Sequence, residues 1–305
     1  MENKKIKVVV TGGAGFIGSQ LVDELIDRGF DVHIIDNLSN GNIEHVNKEA
    51  RFFKEDIRDI EAVRKIMDGT SYVFHTAALP RVQYSIENPI ETHDVNVNGT
   101  LNLLVAAKDT GVKKFIYSAS SSAYGDQSVM PLHEEMASNP LSPYGLQKYI
   151  GELKCRVFSK VYGLPTVSLR YFNVYGPRFK AGGAYALVIG KFLKQKKEGM
   201  PLTIVPTGEQ TRDFTHVRDV VAANILAMES DKAVHGEVFN VGAGRNFSIN
   251  QVAELIGGPV EFCESRLEPQ HTLADNSKAR NILGWEPKIS LEEGIAELKK
   301  LYLGE

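Results

Sequence analysis

Through the first half of the chain, short apolar runs alternate with stretches whose apolar residues recur at helical spacing. Lys7–Thr11, Asp31–Asp36, Tyr72–His75, Lys114–Ser118 and Thr166–Arg170 read as buried strands. The segments between them, Ile17–Arg28, Ile60–Met67, Asn96–Thr110 and Tyr144–Tyr162, read as crossover helices. Strands that are apolar throughout are shielded on both faces, so the alternation predicts an α/β fold, a parallel sheet with helices on either side.

After Asn173 the texture changes. A glycine-rich loop (Gly176–Gly183) precedes a helical pattern over Ala184–Lys197 and a short strand, Leu202–Val205. A further helix, Val217–Glu229, and a strand, Val238–Val241, read as a return to the sheet. The expected division is therefore a sheet domain of residues 1–172 joined by 214–248, and a smaller lobe made from 173–213 and 249–305. Trp285, just after the helix-terminating Gly284, reads as a satellite core residue.

A length of 305 residues with 43% hydrophobic content can bury a full core. A net charge of −3, with acids and bases mixed along the chain, argues against nucleic acid or a membrane surface as a partner. The early apolar run Ile6–Val10 is too short for a signal-peptide core or a membrane span. Cys155 and Cys263 have no paired spacing, and the eight histidines have no metal-ligand spacing, so no disulfide framework or metal is expected. His75 and His216, at strand ends, read as satisfied structural groups. A reducing cytoplasm fits best.

The first strand runs into Thr11-Gly12-Gly13-Ala14-Gly15-Phe16-Ile17-Gly18 and then a helix. Glycines at Gly12, Gly15 and Gly18 allow a tight turn and close backbone approach, while the helix N-terminus offers N–H groups and a positive dipole end to a pyrophosphate. Asp36 ends the second strand, where a carboxylate accepts from ribose hydroxyls and repels a 2′-phosphate, favouring NAD over NADP. Asp56 and Ile57, after the apolar pair Phe52-Phe53, are placed against the adenine.

Ser142-Pro143-Tyr144 opens a helix with a capping serine and a proline at the first helical position. Lys148 follows Tyr144 by one helical turn and shares its face. A phenol of pKa about 10 is a weak base near neutrality, but an adjacent ammonium and a positively charged nicotinamide stabilise its phenolate. Upstream, the strand Lys114–Ser118 feeds Ser120-Ser121-Ser122, placing hydroxyls at the carboxyl end of the sheet. Ser120 is the candidate bridge between a substrate oxygen and Tyr144.

These motifs, with Asp36-Asn37-Leu38-Ser39-Asn40-Gly41, His75-Thr76-Ala77-Ala78, Asn96-Val97-Asn98-Gly99-Thr100, Arg170 through Arg178, Arg212-Asp213-Phe214 and Asp275 through Ala279, carry a family resemblance over nearly the whole chain. The sequence resembles the NAD-dependent epimerase/dehydratase branch of the extended short-chain dehydrogenases, and specifically the UDP-glucose and UDP-N-acetylglucosamine 4-epimerases. The resemblance implies a Rossmann-type doubly wound sheet with a smaller C-terminal substrate-binding lobe. It implies catalysis by Ser120, Tyr144 and Lys148. Around NAD it implies the glycine turn with Phe16 and Ile17, then Asp36, Asn37, Ser39, Asn40 and Gly41, then Asp56, Ile57, Thr76, Ala77, Ala78, Ser118 and Tyr171. On the substrate side it implies Ser120, Ser122, Asn173, Val188, Thr203, Val205, Arg212, Arg266 and Thr272. The implied reaction oxidises C4 of a UDP-hexose to a ketone, turns the sugar over and reduces the opposite face.

Related dehydratases and decarboxylases carry acids in the segment that here reads Ser120-Ser121-Ser122, so the resemblance leans to epimerisation. Asn173 leans to a neutral sugar, and Thr272, where some relatives carry tyrosine, leaves room for an N-acetyl group. The stretch Arg266-Leu267-Glu268 is one residue shorter than the family's usual run, and Pro206-Thr207-Gly208 also departs from it. A uronate epimerase, a nucleotide-sugar dehydratase and a non-catalytic NAD-binding regulator are the alternatives. Family dimers pair the helices corresponding to Asn96–Thr110 and Tyr144–Tyr162, implying a homodimer.

Overall fold

The computed structural model describes residues 5–179, 188–263 and 270–305. Alternation along each strand explains its sheet: Val8 and Val10 point into one apolar cluster and Val9 into another, as do Ile34 against Ile35 and Phe74 against Val73. Strands β1 (Lys7–Thr11), β2 (Asp31–Ile35), β3 (Arg51–Phe53), β4 (Tyr72–His75), β5 (Lys114–Ser120), β6 (Thr166–Tyr171) and a seventh, His235–Val241, all pair in parallel. Their spatial order is seventh–β6–β5–β4–β1–β2–β3. Strand succession reverses between β1 and β4, the point at which parallel sheets open a ligand crevice.

Helices cover both faces. Leu21, Val22 and Leu25 of helix Phe16–Asp27 and Val217 through Met228 of helix Val217–Glu229 close one cluster. Val63, Ile66 and Met67 of helix Ile60–Met67, Leu103 and Leu104 of helix Thr100–Asp109, and Phe158 of helix Pro143–Tyr162 close the other. Trp285 corrects the satellite reading: it is 1% exposed within the first cluster, and its indole N–H donates to the Asp219 carbonyl (2.8 Å). That buried bond lets a polar-edged ring sit under the sheet.

Two boundaries differ from the hydropathy pattern for visible reasons. Strand β5 continues to Ser120 because Ser118 and Ser120 still pair with Leu169 and Tyr171, although their hydroxyls end the apolar run. The helix expected over Asn96–Thr110 is a π-helical turn, Asp94–Gly99, followed by the α-helix Thr100–Asp109. In the turn, the buried Asn96 amide bonds Leu79 through both N–H (2.8 Å) and C=O (3.1 Å) and donates to Gln147 Oε1 (2.8 Å). A side chain used this way accompanies the local widening of the helix.

A second core gathers Phe179, Phe192, Leu193, Leu202, Ile256 and Leu298. It is built from helices Val188–Lys197, Ile249–Ile256 and Leu291–Leu303 with the paired strands Leu202–Ile204 and Val260–Phe262. Ser248/Gln251 and Ser290/Glu293 capping boxes start two of these helices. Residues 180–183 of the glycine loop, 184–187 of the expected helix, and Arg266 lie outside the described residues.

Candidate active site

A cleft of about 610 Å³ opens over the carboxyl ends of the strands at the reversal point. The glycine spacing has a steric cause there. A Cβ on Gly12 (φ 72°) would fall 2.7 Å from Ala77 N, and one on Gly18 would fall 2.2 Å from Gly12 O and 2.7 Å from Thr76 Oγ1. Turn, helix and the β4 loop therefore meet backbone to backbone. Gly15 begins helix Phe16–Asp27 without a side-chain cap, and Phe16, Ile17 and Gly18 line the cleft. This uncapped first turn is the donor set that a diphosphate requires.

Asp36 is 8% exposed at the cleft wall. Its Oδ2 accepts from Ala14 N (3.0 Å) and its Oδ1 from Leu38 N (2.8 Å), which orients the carboxylate and leaves lone pairs for ribose hydroxyls. Burial raises its pKa, opposed by those two bonds. A Cβ on Gly41 would lie 3.0 Å from either Asp36 oxygen, so this glycine keeps the approach open. Farther along, Asp56 takes a fork of bonds from Arg58 (3.0 and 2.8 Å) and one from Asn37 Nδ2 (2.8 Å). The Arg58 bonds hold its pKa down at about 2, keeping it anionic. Ser39, Asn40, Ile57, Thr76, Ala77, Ala78 and Tyr171 line the same cleft, whereas Ser118 and Lys148 of the expected cofactor set lie behind its wall. The residues present thus fit an adenine dinucleotide.

Helix Pro143–Tyr162 starts with every early N–H accounted for. Pro143 has none, Tyr144 N donates to Ser85 Oγ (3.0 Å), Gly145 N to Ser142 Oγ (3.1 Å) and Leu146 N to Ser142 O (3.0 Å). Tyr144 and Ser120 line the cleft together, and Ser120 Oγ accepts from Ser122 N (3.1 Å). Burial raises the Tyr144 pKa; the neighbouring Ser120 hydroxyl and the Arg81 charge oppose the rise. Lys148 lies beneath the cleft, 4% exposed, and its Nζ donates to Ser118 O (2.8 Å) and sits 5.1 Å from the Tyr117 ring centre. Burial lowers its pKa to about 8. Ser118 turns its hydroxyl to Tyr171 OH (3.1 Å), which Asn224 Nδ2 supports (2.8 Å).

On the substrate side, Ser122 and Asn173 line the cleft. Asn173 Nδ2 donates to Asp213 O (3.1 Å) and to Thr272 Oγ1 (3.4 Å), so Thr272 stands behind Asn173 and does not line that cleft. Arg212 is 8% exposed, and its Nη1 donates to the carbonyls of Thr211 (2.9 Å) and Gln270 (3.2 Å). Thr203 is fixed by Gln195 through side chain and backbone (3.0 and 3.2 Å), and the Val205 carbonyl accepts from Gln210. Val188 begins its helix. None of these four lines the described cleft wall.

Arg81, Val82 and Phe179 also line the cleft and escaped the sequence reading. Arg81 and Val82 lie just past Thr76-Ala77-Ala78; extending that strand-end segment would have found them. Ser85, which holds Tyr144 N, carries no local signal. His75 is structural: Thr100 Oγ1 donates to Asn96 O (2.7 Å) and so accepts from His75 Nε2 (2.8 Å), leaving Nδ1 to accept from Thr11 Oγ1 (2.8 Å). Burial keeps this imidazole neutral. His216 accepts from Arg218 N (3.2 Å) at a helix start, with its pKa lowered by burial to about 4. Among the described residues no cluster of His, Cys, Asp or Glu could hold a metal ion.

A family model described as NAD dependent epimerase/dehydratase matches residues 8–242. A protein of Methanocaldococcus jannaschii described as a putative UDP-glucose 4-epimerase is 39% identical, with 94% of this chain and 95% of that protein covered. A UDP-glucuronate 4-epimerase of Thermodesulfobacterium geofontis is 37% identical, covering 94% and 93%. Among solved structures, a UDP-N-acetylglucosamine 4-epimerase from Methanobrevibacter ruminantium in complex with UDP-N-acetylmuramic acid superposes with a TM-score of 0.93. It is 40% identical, and 99% of each chain is covered.

Proposed function

The chain belongs to the NAD-dependent epimerase/dehydratase family, and from that premise we propose that it inverts C4 of a UDP-hexose. The observation that carries this reading is that Tyr144 and Ser120 share the cleft wall, one helical turn from a buried Lys148 bonded to Ser118 O (2.8 Å) and beside a segment that supplies only hydroxyls. NAD, when bound, supplies hydride acceptance and return at the sugar C4. The Gly12–Gly18 turn holds its diphosphate and Asp36 its adenosine ribose. Ser120 positions the 4-hydroxyl, Tyr144 Oη takes its proton and later gives one back, and the Lys148 charge stabilises the phenolate in the interval. With no acid in Ser120-Ser121-Ser122, elimination of water has no proton carrier from that segment.

The favoured sugar is neutral and N-acetylated, with Asn173 toward the diphosphate and Arg212 available to phosphate once it exchanges a carbonyl bond. Thr203 and Val205 are assigned near the uracil. Thr272, behind Asn173, is small enough to leave the hexose pocket wide. A second reading, a UDP-uronate, is favoured by Arg81, a cleft-lining residue whose positive charge reaches Tyr144. The exposed Leu146, Leu153, Val157 and Val161 fall on one face of helix Pro143–Tyr162 and suit pairing with a second copy. The two free cysteines suit the cytoplasm.

The test is to incubate purified protein, without reductant, with UDP-N-acetylglucosamine, UDP-glucose and UDP-glucuronate separately, following anomeric protons by NMR. A galacto-configured product identifies the reaction and ranks the sugars. No epimer from any of them, with NAD confirmed bound, refutes the proposal.

A further inference from the structure

We propose that Glu152, locked to Arg170 behind the catalytic helix, is a positioning residue that keeps the Lys148 ammonium charged and thereby sets the upper pH limit of turnover. The inference rests on the roles given above to Tyr144 and Lys148, and on none of the sugar assignments.

Tyr144, Lys148 and Glu152 are spaced by four residues, so they follow one another along a single face of helix Pro143–Tyr162. Glu152 is 2% exposed. Its Oε1 accepts from Arg170 Nε (2.8 Å) and its Oε2 from Arg170 Nη2 (2.7 Å). Both oxygens accept from one guanidinium, the paired charge-assisted contact that a carboxylate makes best. Arg170 stands on β6 opposite Ala119, between the two serines of the site, and its guanidinium lies 4.4 Å from the Tyr124 ring centre. Tyr124 is itself fixed by its hydroxyl, which donates to Asn240 Oδ1 (2.8 Å).

An ion pair this deep is a poor source of stability, because desolvating both charges cancels much of their attraction. Its position supplies a better reason. The groups facing Lys148 from neighbouring elements are the Tyr117 phenol and Ser118 carbonyl on β5 and the neutral His75 on β4. On its own helix are Tyr144, Glu152 and the Cys155 thiol, whose pKa burial pushes up to about 12. Tyr117 is likewise held neutral by burial. Burial raises the Glu152 pKa, and the Arg170 bonds and the Arg170 and Arg156 charges oppose the rise; what holds it as the anion is its two-bond contact with a permanently charged guanidinium. Among these described groups Glu152 is therefore the standing anion, and it opposes the burial that drives Lys148 to lose its proton. The neutral amine cannot stabilise a Tyr144 phenolate, so turnover falls once Lys148 deprotonates.

The experiment compares wild type, Glu152→Gln, and the double variant Glu152→Gln/Arg170→Met. The double variant removes both buried charges and so leaves none unpaired if the single variant fails to fold. Two quantities are read: kcat and KM against pH, and the Lys148 titration by 13C NMR of lysine-labelled protein, assigned with Lys148→Met. Both variants are expected to move the alkaline limb of kcat, and the Lys148 midpoint, to lower pH by about one unit, with KM changed less than about two-fold because Glu152 lies outside the cleft. A folded variant that loses the same fraction of kcat at every pH, with an unmoved Lys148 midpoint, overturns the proposal. If no UDP-sugar is epimerised, the functional reading falls, while the NMR midpoint still decides the coupling between Glu152 and Lys148.

Discussion

Replacing Lys148 with methionine is expected to make the cofactor-free protein more stable while removing its catalysis. Burial takes the Lys148 pKa from 10.5 to about 8. A difference of about 2.5, at about 1.4 kcal/mol per pKa unit, means that holding the ammonium charged costs on the order of 3 kcal/mol at neutral pH. The sign follows from which state binds the proton more tightly. The unfolded chain does, so this group's contribution to stability is present above pH 10.5 and is lost as pH falls through about 8. Methionine fills similar space without a charge but gives up the bond to Ser118 O (2.8 Å), worth about 1 to 2 kcal/mol. The net gain at pH 7 is therefore about 1 to 2 kcal/mol, shrinking between pH 8 and 10.5 and reversing above that range. Urea unfolding at a series of pH values measures it as a raised midpoint at unchanged slope. A variant that is less stable at pH 7, or whose difference from wild type does not change with pH, refutes the reasoning. Either result would mean that Lys148 is held by packing and hydrogen bonding that outweigh its desolvation.

Gly18→Ala places a methyl 2.2 Å from Gly12 O, so NAD binding measured by calorimetry should be lost although the strands are untouched; retained affinity would show that the turn can open. Lys114→Met should lower stability by about 1 to 3 kcal/mol in urea unfolding, because the ammonium donates to the carbonyls of Ala227, Met228 and Ser230 at a helix end; an unchanged midpoint would show that other groups satisfy them. Arg81→Gln removes a positive charge that lowers the Tyr144 pKa, so the acid limb of kcat should move to higher pH; an unmoved limb would separate Arg81 from the proton transfer. Leu153→Arg should halve the mass found by light scattering if the exposed face of helix Pro143–Tyr162 pairs two copies, and an unaltered mass would exclude that face.

What the sequence disclosed was what short-range geometry determines. Gly12, Gly15 and Gly18 are readable because one turn and one helix start demand them, and the strand runs are readable because both faces of each are buried. Tyr144 and Lys148 are readable because a helix brings them together. Arg81 and Ser85 were not, since their relation to Tyr144 depends on a packing contact across about sixty residues of chain. The π-helical turn at Asp94–Gly99 was equally hidden. Its apolar spacing is helical, and the departure comes from Asn96 turning its amide to Leu79 and Gln147.

The Arg212-Asp213-Phe214 stretch shows how a motif can be visible while its division of labour is not. Arginine is the obvious candidate because it can bind phosphate, yet Asp213 is the residue on which the surrounding chain converges. Its Oδ1 accepts from Ala243 N (2.7 Å), its Oδ2 from Gly244 N (2.9 Å) and Ala274 N (3.0 Å), and its backbone meets Asn173 and Thr272. A carboxylate can serve three converging N–H groups because both of its oxygens are acceptors, whereas an amide would turn N–H against N–H. Burial nevertheless outweighs the three bonds and raises its pKa to about 6. Because the folded pKa exceeds the unfolded one, the stability this raised pKa represents is present below about pH 3.8 and is lost as pH rises through about 6. Near neutrality Asp213 is therefore an anion retained at a cost. What the fold gains is the joining of the Asn173 loop, the turn after the seventh strand and the Thr272–Ala274 segment at one point, and through Asn173 that point reaches the wall of the candidate active-site cleft.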